Sequence, residues 1–456
     1  TVGPDYKRPE MALPAQYPDT AAAKEVEVPP GWWALYRDPL LNELVGSAWE
    51  RNADLRFAVA RVQEAEALAR EAGSLFYPEV TVGYGVTRNR VSELTSPPPA
   101  TTAGLTRTQN TLIASTSYEL DFWGRYARAD EAARATLLGS VLSRDTVLLS
   151  LAGATAQSYF ALRSADAQLK VLELVIESRR EALELARTRA NGGLASELDV
   201  YQAQATLSDA LVQRYETERN RQLVERQLAQ LTGRLDLKVV PGDLFTLPVP
   251  PPLPPGLPST LLERRPDVRA AEQNMVSANA QIGIARAAQF PTISLTAAVG
   301  SQSAEFSDLL SKGAGIWSLG LNIAGPLFDA GRREARVDQA RARSEQAVAS
   351  YQRSVETAFR EVADALVNVD RSNGSEAELE LRLKAARAAL DLSNERYRSG
   401  YSPFLEVLDA QRTVNDAAIA FVRNRQARLA FSVDLMKALG GGWSDGVEPQ
   451  GKTSTR

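Results

Sequence analysis

Residues 397–411 read YRSGYSPFLEVLDAQ, and residues 190–204 read ANGGLASELDVYQAQ. Laid over each other, 207 positions apart, they match Gly193 with Gly400, Leu198 with Leu405, Val200 with Val407, Ala203 with Ala410 and Gln204 with Gln411. Asp199 meets Glu406, so an acid is kept as well. The match extends upstream. Gly124-Arg125 pairs with Gly331-Arg332 at the same offset, while Asp54 with Asp267 and Pro78 with Pro291 pair at 213. The six-residue difference predicts a longer loop in the first copy. A repeat of roughly 210 residues is a duplicated architecture rather than a short solenoid period.

The two similar stretches are turns between helices. No proline occurs from Arg125 to Ala190, and Leu148, Thr155, Leu162, Leu169, Ile176, Leu183 and Ala190 recur every seventh residue. A sustained heptad predicts a supercoiled helix. About 66 residues at ~1.5 Å each would reach ~100 Å. The NGG at 191–193 ends it, and a return helix is predicted from about Ser196 to Leu231. The second copy repeats this over 332–399, with Val348, Val355, Val362 and Val369 in heptad spacing. RSGYSP then turns the chain, and a return helix runs to about Leu439. Gly193 and Gly400 are expected at positive φ. Ser402 is expected to cap the returning helix, with Pro403 at its first position.

Before each long helix the period changes from helical to two. After Pro78, the residues Val80, Val82, Tyr84 and Val86 alternate with Thr81, Gly83, Gly85 and Thr87. Leu112, Ala114, Thr116, Tyr118, Leu120 and Phe122 alternate with Ile113, Ser115, Ser117, Glu119 and Asp121 in the next run. After Pro291, Ile293, Leu295, Ala297 and Val299 share one face, as do Trp317, Leu319, Leu321 and Ile323. Each copy therefore holds a β-hairpin with one apolar face. Four strands cannot close a barrel around a lumen, so a membrane barrel would need several chains. Periodicity alone also fits a soluble hairpin packed on helices. The segments are then an irregular start (1–38), helix (39–77), hairpin (78–124), long helical hairpin (125–233), Pro-rich connector (234–258), helix (259–290), hairpin (291–331), long helical hairpin (332–442) and tail (443–456).

The bulk properties narrow the function. The 456 residues carry a formal charge of −4 with 24% charged residues, which argues against a nucleic-acid partner. With no Cys and no His, thiol nucleophiles, disulfides, histidine acid–base chemistry and most zinc sites are excluded. Absence of Cys suits an oxidising compartment. No run of 18 or more apolar residues is present, so no membrane helix is predicted. No nucleophile–base constellation or phosphate loop stands out, so neither an enzyme nor a cofactor or metal site is expected.

The stretch ERRPDVRAAEQNMVSANAQIGIARAAQFPTISLT at 263–296 adds a resemblance. With TVGPDYKRP, GWWALYRDPLLNELV, ELDFWGR, FREVADAL, YRSGYSPFLEVLDAQR and MKALGGGW it resembles the TolC-type outer-membrane factors of Gram-negative bacteria. Within them it is most similar to the OprM, OprJ and OprN group of efflux lipoproteins. The resemblance covers nearly the whole chain.

It implies a mixed α and β membrane protein, a homotrimer in the outer membrane. Three chains would give four strands each to one twelve-stranded β-barrel, continued by a long periplasmic α-helical coiled-coil barrel. Val80, Val82, Tyr84, Leu112, Tyr118, Ile293, Leu295, Trp317, Leu319 and Leu321 would face the lipid bilayer. Loops 88–110 and 302–315 would be extracellular, and segments 1–38 and 234–258 equatorial. The implied function is a passive duct for drugs and other small molecules. Its implied partners are a periplasmic membrane-fusion adaptor and an inner-membrane RND transporter. Type I protein secretion or metal-ion efflux are alternatives, although three Met and no His disfavour copper or silver as dedicated cargo.

The two turns would form the periplasmic tip. Asn191, Gly192, Gly193, Leu194 and Ala195, with Arg398, Ser399, Gly400, Tyr401 and Ser402, would dock the adaptor. Asp409, Glu406 and Tyr397 match the family's gate, with Asp199 and Gln202 facing those acids in the first copy. The family's gate arginine matches Ser402, so that interhelix charge contact is expected to be absent. The same acids would also suit a helix N-terminus without any gate. The group carries an acylated Cys before a TVGPDY-like start, which predicts a lipid anchor on a residue preceding Thr1, outside this chain.

Overall fold

In the computed structural model the two copies are built from matching elements. The chain runs through α1 (Pro39–Arg51), α2 (Ala53–Ser74), β1 (Glu79–Arg90), β2 (Thr106–Glu119), α3 (Arg125–Asn191) and α4 (Glu197–Leu231). It continues through the short α5 (Leu261–Arg264), then α6 (Pro266–Ala287), β3 (Thr292–Ser303), β4 (Gly315–Ala324), α7 (Arg332–Arg398) and α8 (Phe404–Ala438). Helices α3 and α7 have 67 residues each, and α4 and α8 have 35 each. All four of their boundaries sit 207 positions apart. The six-residue difference is not confined to one loop. The β1–β2 connection is longer than β3–β4, β2 is 14 residues against 10 for β4, and the segment before α3 is shorter. The structure describes residues 1–18, 28–92, 94, 105–256 and 258–441. Residues 93 and 95–104 of the 88–110 loop, part of 1–38 and all of the 443–456 tail lie outside the described residues.

Two compact units are distinguished. The first comprises Thr1–Glu10, Val62–Gly139 and Ala271–Tyr351. Its centre is an antiparallel sheet in the order β1-β2-β3-β4. Register decides what the alternation means. Val82 faces Ala114, which faces Val299, which faces Trp317. Val80, Thr116, Ala297 and Leu319 form the next row. Tyr118, Leu295 and Leu321 form another, and Ile293 faces Ile323. Directly opposed residues lie on one side of a sheet. The apolar sets of all four strands therefore merge into one face. Thr81, Ser115, Ala298 and Ser318 fall on the other, beside Gly83, Ile113, Gly300 and Ile316. A slip of one residue in any strand would break this.

The apolar face is bare: Val82 is 73% exposed, Leu319 76% and Trp317 81%. A water-soluble sheet packed on helices would cover such residues. Strands β1 and β4 each pair on one side only among the described residues, leaving two edges that want a partner. Gly300 has a steric reason: a Cβ there would lie 2.1 Å from the Leu112 carbonyl oxygen. At the end of the sheet where α3 begins, Trp123 stacks on Phe290 with centroids 4.5 Å apart and donates to the Pro291 carbonyl at 2.7 Å. The start of the chain is tied into this unit by Arg8, which donates to Glu272 at 2.6 and 2.8 Å.

The second unit comprises Met11–Arg61, Ser140–Ala270 and Gln352–Arg456. Its first helix begins at Asp38, whose carboxylate accepts from Leu40 and Leu41, with Pro39 at the first helical position. On α3 the heptad residues Thr155, Leu162, Ile176 and Leu183 are buried. Thr155, the polar member, donates to the Leu151 carbonyl at 2.8 Å. Part of α3 is apolar enough by length and composition to cross a membrane, and a third of that stretch is buried within the protein; elsewhere on α3, Ala156, Tyr159, Phe160 and Leu162 are buried. On α7, Val355, Val362 and Val369 are buried while Val348 is exposed.

The Pro-rich connector is held on this unit by charge. Asp166 accepts from Arg221 at 2.5 Å, from the Gly242 amide at 3.0 Å and from Arg163 at 3.2 Å. Those arginines also donate to the Val239 and Val240 carbonyls at 2.8 and 2.7 Å. Further on, Arg425 donates to the Leu247 carbonyl at 2.7 Å.

Candidate functional site

The turn after α3 and the turn after α7 are built alike. The Leu194 amide donates to the Arg189 carbonyl at 2.8 Å, and the Gly193 amide to Ala190 at 3.0 Å. In the second copy Tyr401 donates to Arg396 at 2.8 Å and Gly400 to Tyr397 at 3.0 Å. This is the hydrogen-bond pattern that closes a helix with a left-handed residue. Gly193 and Gly400 have φ of 72° and 77°. Nothing lies within 4 Å of a Cβ built at either, so backbone conformation and not space demands glycine.

The returning helices start differently. Ser196 caps α4, accepting from the Leu198 amide at 3.1 Å. The expected cap by Ser402 does not form. Pro403 occupies the cap position of α8, no side chain caps that helix, and the Ser402 hydroxyl is buried without a partner. The repeat explains this: the residue equivalent to Ser196 is Pro403, and Ser402 stands one position too early.

Under the turns lies a cluster drawn from four helices. Ile176, Leu183 and Ala186 come from α3, and Ala203, Leu207 and Ala210 from α4. Tyr397 ends α7, and Phe404 and Val407 open α8. Tyr397 and Phe404 are buried, with centroids 5.1 Å apart. The Arg189 guanidinium lies 4.7 Å over the Tyr397 ring. It donates to the Tyr397 and Arg398 carbonyls at 2.7 and 3.3 Å. The last carbonyls of α7 are thus closed by a cation from α3, favourable both for the helix dipole and for the ring face. Sequence reading assigns Arg189 no role; the contact it expects to be absent is the one an arginine at the Ser402 position would make. The signal for Arg189 was present as a basic residue in the last turn of α3; the carbonyls it reaches, 208 and 209 positions away, were not visible.

Tyr397 holds its phenol in the cluster without a hydrogen-bond partner. Burial raises its pKa, the Asp199 carboxylate raises it further, and Arg189 opposes both. Glu406 and Asp409 lie outside the cluster. Glu406 pairs with Arg396 at 3.3 Å, and Asp409 accepts from Arg412 at 2.6 Å. The four side chains are between 40% and 72% exposed, so these pairs add little stability. They set local charge instead.

The structure brings Tyr397, Asp199, Glu406 and Asp409 to the end formed by the two turns, with Gln202 one helical turn along α4 from Asp199. Asn191, Gly192, Gly193 and Leu194 are exposed, as are Arg398, Ser399, Gly400 and Tyr401, while Ala195 and Ser402 are half-buried. Leu194 and Tyr401, equivalent in the repeat, are 74% and 80% exposed. Leu198 and Leu405, also equivalent, are exposed too. The turns therefore present paired large apolar side chains as well as small residues, a feature of interaction surfaces.

Known proteins share this architecture. The profile of the Outer membrane efflux protein family matches residues 44–234 and 257–441. A probable efflux pump outer membrane protein, SepC of Pseudomonas putida, is 36% identical, covering 99% of this chain and 95% of its own length. Outer membrane protein OprJ of Pseudomonas aeruginosa is 32% identical, covering 98% and 94%. The solved structure of the outer-membrane channel OprN superposes with a TM-score of 0.91 at 30% identity, covering 97% of this chain and 99% of that one. The four-stranded sheet and the duplicated long helical hairpins are then the parts of one known fold, and the chain belongs to the outer membrane efflux protein family, with the fold of a TolC-type outer-membrane factor.

Proposed function

We propose that this outer-membrane efflux channel works as a homotrimer. Three sheets join edge to edge, β1 of one chain against β4 of the next, into a twelve-stranded barrel. Its apolar rows, from Val80, Val82, Tyr84, Leu112 and Tyr118 to Ile293, Leu295, Trp317, Leu319 and Leu321, face lipid. The helical hairpins form the periplasmic duct, and the two turns of each chain form its tip. A periplasmic adaptor docks there and passes on drugs and other small molecules from an inner-membrane RND transporter. A lipid on a cysteine preceding Thr1 would add an anchor.

One observation carries this reading: the register that merges four apolar sets into one exposed face while leaving both sheet edges open. Apolar-out, small-or-polar-in alternation is what a lipid-embedded barrel requires, and only closure removes the edges. At the tip, Asp409 and Glu406 recur three times around the axis, and a ring of carboxylates favours cations.

The test is accumulation of a fluorescent pump substrate in cells carrying or lacking this chain. Loss of the chain should raise accumulation several-fold, and re-expression should restore export. Unchanged accumulation, with trimers shown to be present in the outer membrane, would overturn the drug-efflux reading.

A further inference from the structure

We propose that neighbouring copies of this chain are held in register beside the membrane by two ion pairs, Glu64 with Arg343 and Glu71 with Arg336. The acids lie on α2 of one copy and the bases on α7 of the next. This rests on the trimeric reading above and names the contact that selects the partner copy.

The strand order decides which helices meet. Helix α2 leads into β1, β2 into α3, α6 into β3 and β4 into α7. Pairing of β2 with β3 sets α3 beside α6 in one chain. Pairing of β4 with β1 of the next copy sets α7 beside that copy's α2, and in a single chain those two helices belong to opposite edges of the sheet. The repeat converts the first seam into the second. Both ends of α6 lie 213 positions after those of α2, and both ends of α7 lie 207 after those of α3. The same offsets hold in the sheet: Val82 faces Ala114, and the shifted residues Leu295 and Leu321 also face each other.

Within the chain the seam is neutral. Thr136 of α3 and Ser277 of α6 share a hydrogen bond at 3.2 Å. One helix leaves the sheet and the other enters it, so one heptad nearer the sheet Ala129 comes opposite Ile284; both are half-buried. Gly283 lies so close to Arg128 that a Cβ there would stand 2.7 Å from the Arg128 Cγ. Trp123 stacks on Phe290 at the sheet end.

Shifted to the seam between copies, Ser277 and Thr136 become Glu64 and Arg343, and Ile284 and Ala129 become Glu71 and Arg336. Gly283 and Arg128 become Arg70 and Ala335. Large and small residues exchange sides there, so close approach is kept. The aromatic stack is given up, since Trp123 and Phe290 become Ala330 and Tyr77. Glu64, Glu71, Arg336 and Arg343 are all exposed, and none of their charged groups has a partner among the described residues. Leu68, between the two acids, is exposed as well. One flank of the chain thus presents two acids a heptad apart, and the other flank two bases at the matching spacing. Two α2 flanks would set acid against acid, and two α7 flanks base against base. The charges therefore favour the head-to-tail contact that closes a ring over a face-to-face dimer. The seam inside one chain needs no such selection, because connectivity already supplies it.

The chain contains no cysteine, so introduced pairs report cleanly. Glu64→Cys with Arg343→Cys should form disulfides between copies and give covalent trimers on denaturing gels. Thr136→Cys with Ser277→Cys, the equivalent pair, should link within a chain and give none. Charge reversal supplies a second readout. Glu64→Arg with Glu71→Arg should lower the yield of heat-modifiable trimers in the outer-membrane fraction roughly tenfold or more. Adding Arg336→Glu and Arg343→Glu to that variant should restore the yield to within about twofold. Trimers that form without the Glu64–Arg343 positions linking would overturn the proposal. So would a yield indifferent to the reversal, or one that the exchanged charges fail to restore. Absence of trimers from the unmodified chain would sink the trimeric reading itself, and this inference with it.

Discussion

Leu319→Arg is expected to remove the chain from the outer membrane while leaving its helices folded. Leu319 lies in β4 opposite Ala297, in the row that contains Val80 and Thr116, and it is 76% exposed. An arginine on the lipid face of a barrel near the midplane costs about 2–4 kcal/mol. Three copies would cost ~6–12 kcal/mol per trimer on the same scale, a factor of well over ~10⁴ in the inserted population. The adjacent Ser318 points to the other face, opposite Ala298. Ser318→Arg should therefore insert with little loss. Heat-modifiable trimers in the outer-membrane fraction are the readout. Equal yields of the two variants would mean that the apolar rows do not face lipid.

The second large effect belongs to the tip. Phe404 is 1% exposed, packed on Tyr397 at 5.1 Å and surrounded by α3 and α4 residues. Truncating a buried phenylalanine to alanine costs about 3–5 kcal/mol. The cluster is local, so the cost should appear as local opening of the turns rather than global unfolding. Hydrogen-exchange protection across 190–204 and 397–411 should fall by roughly 10²–10³-fold in Phe404→Ala. Leu405→Ala, at the exposed neighbouring position, should change it less than about twofold. A uniform loss of protection along α3 and α7 would mean that the tip cluster is not an independent unit.

How much of this was legible depends on the range of the interaction. The turns were, because Gly193 and Gly400 mark positive φ locally and the repeat displayed them twice. The strands were, because a period of two is written in neighbouring residues such as Val80, Val82 and Tyr84. That the four strands would align their apolar sets was not readable, since register between β2 and β3 joins residues almost 200 positions apart. Ser402 misled because a serine before a proline looks like a cap, and only the equivalence of Pro403 with Ser196 shows the frame. Arg189 was missed for a related reason. An arginine in a last helical turn is common, and its meaning here comes from the carbonyls at Tyr397 and Arg398. The exposed acids were found, yet their partners Arg396 and Arg412 were overlooked, and those partners decide what removing the acids should do.

That last point sets the measurement that tests the account most directly: single-trimer conductance and reversal potential in a planar lipid bilayer, for the unmodified chain and for Asp409→Ala with Glu406→Ala. On the proposed arrangement, with carboxylates ringing a closed tip, the unmodified trimer should conduct poorly and prefer cations. The double variant removes both acids and leaves Arg396 and Arg412 without their partners. Its conductance should rise, and its preference should move toward anions. Trimers that insert and conduct identically with and without the two acids would contradict a gate at these turns.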